Sequence, residues 1–266
     1  MTGRRGKAIV MWTLTLTSVV MLGLPTIIII GASFTSGDMI RFPPQGLSLR
    51  WYGELLGEVA FRSAFWRSLY VSVICTLISI QIGVLAGLAT MRYRLAFGRT
   101  IQVYLLLPFT IPLVVSGIGM MLFFGEIRIL GSLWPVGVAL SVINIPFMIW
   151  SVGAAIGGLD PELEDAAANC GARPVQIFFT VTLPAIASGI ITGALLMFIL
   201  AFNEFLVSLL LTDSRTVTLP VQIYNSIRNV ITPDLAAVSV VYIVIALVTI
   251  WVLDRLAGLD IFLRSR

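Results

Sequence analysis

The amino-acid sequence predicts an all-α integral membrane protein, a single domain over residues 1–266 with six transmembrane helices and a short extramembrane helix between helices four and five. Three observations lead there. The 266 residues are 58% hydrophobic and 11% charged, with a mean hydropathy of +1.02, whereas soluble domains carry roughly 25% charged residues. Six apolar runs, at about 8–34, 66–91, 101–125, 134–157, 184–211 and 235–257, reach the ~20 residues that a helical crossing requires. These runs are continuous, as in "PTIIIIGASF" and "VVYIVIALVTIWVL", unlike the alternating segments of about 10 residues that build a membrane β-barrel.

Helix one follows Arg4, Arg5 and Lys7. A cleaved signal peptide has an apolar core of only about 7–15 residues, and the longer run here predicts an uncleaved anchor. In the next loop Pro43, Pro44 and Gly46 block regular structure before "SLRWYGELL", a candidate short helix. Trp51, Tyr52 and Trp66 there suit the membrane interface. In helix three Pro108 and Pro112 each remove a helix donor, one turn apart, so a kink or a broken helix is expected. Glycines four apart permit close helix contact: Gly83 and Gly87 in helix two, Gly153 and Gly157 in helix four, Gly189 and Gly193 in helix five. Before helix six, an amphipathic patch from Pro220 to Val230 sets Val221, Tyr224, Ile227 and Arg228 at helical spacing.

Six crossings put both termini on one side. Arg4, Arg5, Lys7, Arg92, Arg94, Arg99, Arg255, Arg264 and Arg266 fall on that side, and the positive-inside rule makes it cytoplasmic. The net charge of +4 belongs to arginines that flank helices as anchors facing lipid, so nucleic acid is not an expected partner. The chain has no His and only two cysteines, Cys75 and Cys170. It lacks GxSxG, HExxH and paired-cysteine patterns, so no catalytic or metal-ligating residues are expected. The one lysine, Lys7, is followed by Ala8, which rules out a Walker A loop.

The stretch "LEDAAANCGARPVQIFFTVTLP" interrupts this apolar chain. Asp160 followed by Pro161 is a helix start, and Gly171 is a natural stop. The helix between them, at about 15 Å, cannot span a bilayer. Leu163, Ala166, Ala167 and Cys170 share one face, and Glu162, Asp165 and Asn169 another. Glu162 and Glu164 offset the helix dipole. A second helical start at Pro174 completes a helix-turn-helix, over about 159–183, joined to two membrane helices.

The order Asp165-Ala166-Ala167, Gly171, Val181 and Leu183-Pro184 resembles the cytoplasmic EAA loop of ABC importer permease subunits, the binding-protein-dependent inner-membrane proteins, with Asp165 for the family's Glu and Val181 for its Ile. "FPPQGLSLRWY" and "AFNEFLVSLLLT" are similar to the spermidine/putrescine permease subgroup. The resemblance implies a coupling helix that docks into an ATPase, through Asp165, Ala166, Ala167, Gly171, Leu183 and Pro184. It also implies a homologous permease partner, two ATPase subunits carrying ATP and Mg, an extracytoplasmic solute-binding protein and a bacterial inner-membrane location. No cofactor is expected on this chain. For the solute path the candidates are Glu204, Asn203, Phe202 and Phe205. Glu204 either faces a cavity in the outer half of helix five, where an acid suits a cationic solute, or lies at the interface because the helix ends early. The solute is expected to be a polyamine or similar cationic amine, or another small solute such as an amino acid derivative or aminophosphonate. A self-contained carrier or channel would leave the docking element without a purpose, and an intramembrane enzyme is not expected of a chain without His, a GxGD-type Asp motif or paired acids inside its helices.

Overall fold

The computed structural model describes residues 2–39, 43–44, 46–92, 98–229 and 233–257. Arg94, Val230, Arg264 and Arg266 lie outside the described residues. The described residues are helical almost throughout: α1 (Thr2–Ser33), α2 (Arg50–Gly57), α3 (Val59–Arg92), α4 (Gly98–Thr110), α5 (Leu113–Glu126), α6 (Leu133–Gly157), α7 (Pro161–Asn169), α8 (Pro174–Ile177), α9 (Leu183–Ala185), α10 (Ala187–Phe202), α11 (Leu206–Leu211), α12 (Leu219–Asn229) and α13 (Pro233–Ala257).

Among the described residues, three helices, α1, α3 and α6, are long and apolar enough to cross a membrane unbroken, and two bent pairs raise the number to as many as five. The apolar part of α13, Pro233–Val248, is shorter. Two expected spans are therefore not continuous. Residues 101–125 divide into α4 and α5, bent by 99°, because Pro112 has no N–H and forces Ile111 out of helical conformation; Pro108 stays inside α4. The expected span 184–211 divides into α9, α10 and α11. At its far break the Asn203 amide donates to the Ile199 carbonyl at 2.8 Å, a side-chain bond that competes with helix continuation.

The chain forms two compact units, Met1–Arg62 with Ile223–Ile245, and Ser63–Gln222 with Ala246–Arg266. In the first, the loop after α1 is pinned onto α2. The Trp51 indole donates to the Thr35 carbonyl at 2.9 Å, and Ser33 and Tyr52 hydroxyls pair at 2.6 Å. Trp51 is thus buried and not an interface ring, whereas Trp66 is exposed. The apolar stretch of α1 is uncovered within the chain, with Leu14, Met21 and Leu22 exposed.

In the second unit α6 is the central helix. One core cluster joins Val71, Phe124, Leu140, Val207 and Leu211, and another joins Val84, Met148, Val152, Ile186 and Met197. A methyl group at Gly189 would lie 2.7 Å from the Ser151 carbonyl oxygen, and the Ser151 hydroxyl donates to the Gly189 carbonyl at 2.8 Å. The small residue lets α10 approach α6 until a side chain bonds to backbone across the interface. Gly83, Gly87 and Gly193 also meet α6 side chains, while Gly157 has nothing within 4 Å. Four-residue glycine spacing thus marks contact in α3 and α10 but overstates it at the end of α6.

Candidate functional site

The site lies where the chain leaves α6 and returns as α10. Asp160 caps α7, its Oδ1 accepting from the Glu162 amide at 3.0 Å, and Pro161 takes the first helical position, where no donor is lost. At the other end Gly171 has a φ of +85°. The Gly171 amide donates to Ala168 O at 2.9 Å and the Ala172 amide to Ala167 O at 3.1 Å, the paired bonds of a Schellman cap. Sequence and structure agree on both ends of this helix because each end is a local event.

The chain restarts at Pro174, with the Arg173 amide donating to Gln176 Oε1 at 2.8 Å. α8 opens into a wide π turn over Phe178–Thr182 before α9. Pro184 removes a donor and its ring crowds the Thr180 carbonyl, and the wide turn relieves that conflict. The segment Pro174–Ala185 meets α10 at 66°. Leu183 and Pro184 therefore sit just before the bend at which this segment meets α10.

The acids of α7 separate by environment. Glu162 and Asp165 are exposed, as is Ala166, and Ala167 is half-buried. Glu164 turns inward. Its Oε2 accepts from Arg92 Nε at 3.1 Å and from Nη2 of the same guanidinium, while Oε1 accepts from the Thr182 hydroxyl at 2.6 Å. The Arg92 and Glu164 side chains are only 22% and 20% exposed. Burial pushes the Glu164 carboxyl up, but the Thr182 hydroxyl and the Arg92 guanidinium together outweigh it and hold the carboxyl below its ordinary range. Glu164 is an anion at neutral pH. The sequence reading assigned it to the helix dipole, and the signal it missed was an arginine closing a long apolar helix.

These residues border a cleft of about 280 Å³ whose walls include Arg92, Glu164, Asp165, Ala168, Phe178 and Thr182. Around it Leu163, Val175 and Phe179 are exposed by 53%, 67% and 59%. The surface of α7 is thus open, small in side-chain volume along Ala166–Ala168, and edged by apolar groups. Asp165, Ala166 and Ala167 lie on α7, Gly171 at its cap, and Leu183 and Pro184 beyond the wide turn.

The second set of expected residues falls at the break between α10 and α11. Glu204 is half-buried and its Oε1 accepts from the Val207 amide at 3.0 Å, so it caps α11. Asn203 is exposed. Phe202 is buried, stacked on Phe198 at 5.8 Å and edge-on to Phe65 at 6.1 Å. Phe205 is half-buried. An acid thus stands at a helix break, next to an exposed amide, and Phe202 is turned into the core.

A family model described as "Binding-protein-dependent transport system inner membrane component" matches residues 79–259. The chain belongs to this family. The match runs from the middle of α3 through the α7 loop to the end of the described chain, and makes the protein an ABC importer permease of the inner membrane. Among curated relatives, the putrescine transport system permease PotI of Escherichia coli (strain K12) is 28% identical over 81% of this chain and 79% of its own length. The molybdenum transport system permease ModB of Mycobacterium tuberculosis is 29% identical, covering 73% and 79%. The spermidine/putrescine permease PotC of Escherichia coli (strain K12) is 26% identical, covering 85% and 86%. The fold is shared with a bacterial ABC transporter solved with an alginate-bound periplasmic protein, at a TM-score of 0.75 and 18% identity over 96% of this chain and 95% of that one. It is also shared with the MetNI methionine transporter, at a TM-score of 0.60 and 19% identity over 80% and 98%.

Proposed function

We propose that this permease forms, with a homologous partner permease, the membrane path of an importer for a small cationic amine of polyamine type. An extracytoplasmic binding protein delivers the solute, and two separate ATPase subunits seat on α7 and hydrolyse ATP. In this reading the termini and the α7 loop are cytoplasmic. The observation that carries it is α7 itself, a helix too short to cross a membrane, capped at both ends, exposed along Asp165 and Ala166, and followed by a segment, Pro174–Ala185, that meets α10 at 66°. A soluble partner can seat on such a surface, and its nucleotide state then biases the bundle through differential affinity for the two conformations.

The cationic solute is supported by Glu204, an acid beside a break in a membrane helix, where ionisable groups usually face a cavity, and by the polyamine relatives. A second reading, an importer for a different small solute, is favoured by the molybdenum permease at nearly the same identity. Uptake by the reconstituted complex separates them. ATP-dependent accumulation of labelled putrescine but not molybdate supports the first, and the converse the second. Copurification of the chain without any ATPase, or transport by the chain alone in liposomes, refutes both.

A further inference from the structure

We propose that Glu164 is the positioning residue of the coupling element, fastening α7 to the end of α3 and to the turn that enters α10, so that movement of α7 passes into both membrane helices. This rests on the reading of α7 as the ATPase-docking helix.

Four observations carry the inference. The carboxylate is divided between two elements: one oxygen binds Arg92, the last residue of α3, and the other binds Thr182, the last residue of the wide turn. Thr182 also links onward, since its carbonyl accepts from the Ile186 amide at 3.1 Å and its side chain is buried. Glu164 is thus two hydrogen bonds away, through Thr182, from the N-cap residue of α10. Second, α7 borders a cleft of about 280 Å³ and has no buried residue of its own, so apolar packing does not hold it in place. Third, the wide turn has looser hydrogen-bond geometry than an α-helix and is a natural point of give. Fourth, the neighbouring acids Glu162 and Asp165 stay exposed. Desolvating an ion pair is costly, and apolar replacements of such pairs are often neutral or stabilising. The return on this arrangement is therefore geometry: a three-way tie across a compliant turn.

The test uses the assembled complex of this chain, its partner permease and the ATPase subunits in nanodiscs. A nitroxide is placed on α10 at exposed Leu196→Cys, with Cys75→Ala and Cys170→Ser, and its spectrum is read before and after ATP with vanadate. Wild type is expected to respond. Glu164→Gln and Thr182→Val are expected to assemble and bind nucleotide with a response reduced about tenfold, the scale of losing hydrogen bonds to a charged group. Thr182→Ser, which keeps the hydroxyl, restores the response, and a merely structural role would not track the hydroxyl in this way. Full responses in Glu164→Gln and Thr182→Val overturn the tie. Ala166→Arg, on the exposed face of α7, separates the two claims. If it blocks ATPase assembly while Glu164→Gln responds fully, only the tie fails; if ATPase assembles normally with Ala166→Arg, the docking reading fails and takes the tie with it.

Discussion

Replacing Gly189 with Ala tests whether the α6–α10 contact is as close as the structure places it. The added methyl would stand 2.5 Å from Ala155 Cβ and 2.7 Å from the Ser151 carbonyl oxygen, against carbon–carbon separations of about 3.5–4.0 Å at ordinary contact. Because one obstacle is backbone, no rotamer change relieves it, and the helices must part by roughly 1 Å. That displacement would also carry the Ser151 hydroxyl, now 2.8 Å from the Gly189 carbonyl, beyond hydrogen-bonding range. Overpacking costs about 1–3 kcal/mol and the interhelical bond contributes about 0.6 kcal/mol, offset by about 1 kcal/mol from the better helix propensity of Ala. The net expectation is a destabilisation of about 0.6–2.6 kcal/mol. Gly157→Ala is the internal control, with nothing within 4 Å of its added methyl. Thermal unfolding in detergent, followed by tryptophan fluorescence, should show a lower midpoint for Gly189→Ala and no decrease for Gly157→Ala. Equal midpoints would refute the close approach.

Other expectations follow from the same geometry. Gly171→Val places a β-branched residue at a φ of +85°, costing about 1–2 kcal/mol; it should lose ATPase in pull-down, while Gly171→Asn, better suited to that region, retains it. The Glu164 carboxyl is held below its ordinary value, so its contribution to stability is present above the usual carboxylate range and disappears as pH falls through the lowered value. The midpoint gap between wild type and Glu164→Gln should therefore be constant from neutral pH down to about 5 and close below about 4; a gap that widens in acid contradicts the assignment. Glu204→Gln preserves an acceptor for the Val207 amide and should leave stability nearly unchanged while weakening uptake of putrescine, whereas Glu204→Ala should also lose about 1 kcal/mol as a missing cap. Unchanged uptake in Glu204→Gln removes the charge from the solute path.

What was legible in the sequence was whatever short-range chemistry decides. The N-cap at Asp160, the positive φ at Gly171 and the break before Pro112 are each written within a few residues, and each lies where the residues predict. The tie at Glu164 was not legible, because Arg92 is 72 positions away and nothing near either residue names the other. The break at Asn203–Phe205 was legible only as one of two alternatives for Glu204. No Gly or Pro lies between Ala194 and Leu219, and the helix stops because the Asn203 and Glu204 side chains take backbone partners, a choice that hydropathy does not register. Trp51 was misplaced for a related reason: an indole suits the interface by composition, but its N–H found a carbonyl in the loop after α1.

The length of α3 carries a mechanical consequence. Its 34 residues measure about 51 Å along the axis, well over the ~30 Å of a hydrocarbon core. The helix end at Arg92 therefore works on a long radius: a tilt of about 5° around the midpoint sweeps it through roughly 2 Å. Displacements of that size at the membrane surface, the distance separating a made hydrogen bond from a broken one, can accompany a change inside the bilayer too slight to disturb the packing around α6.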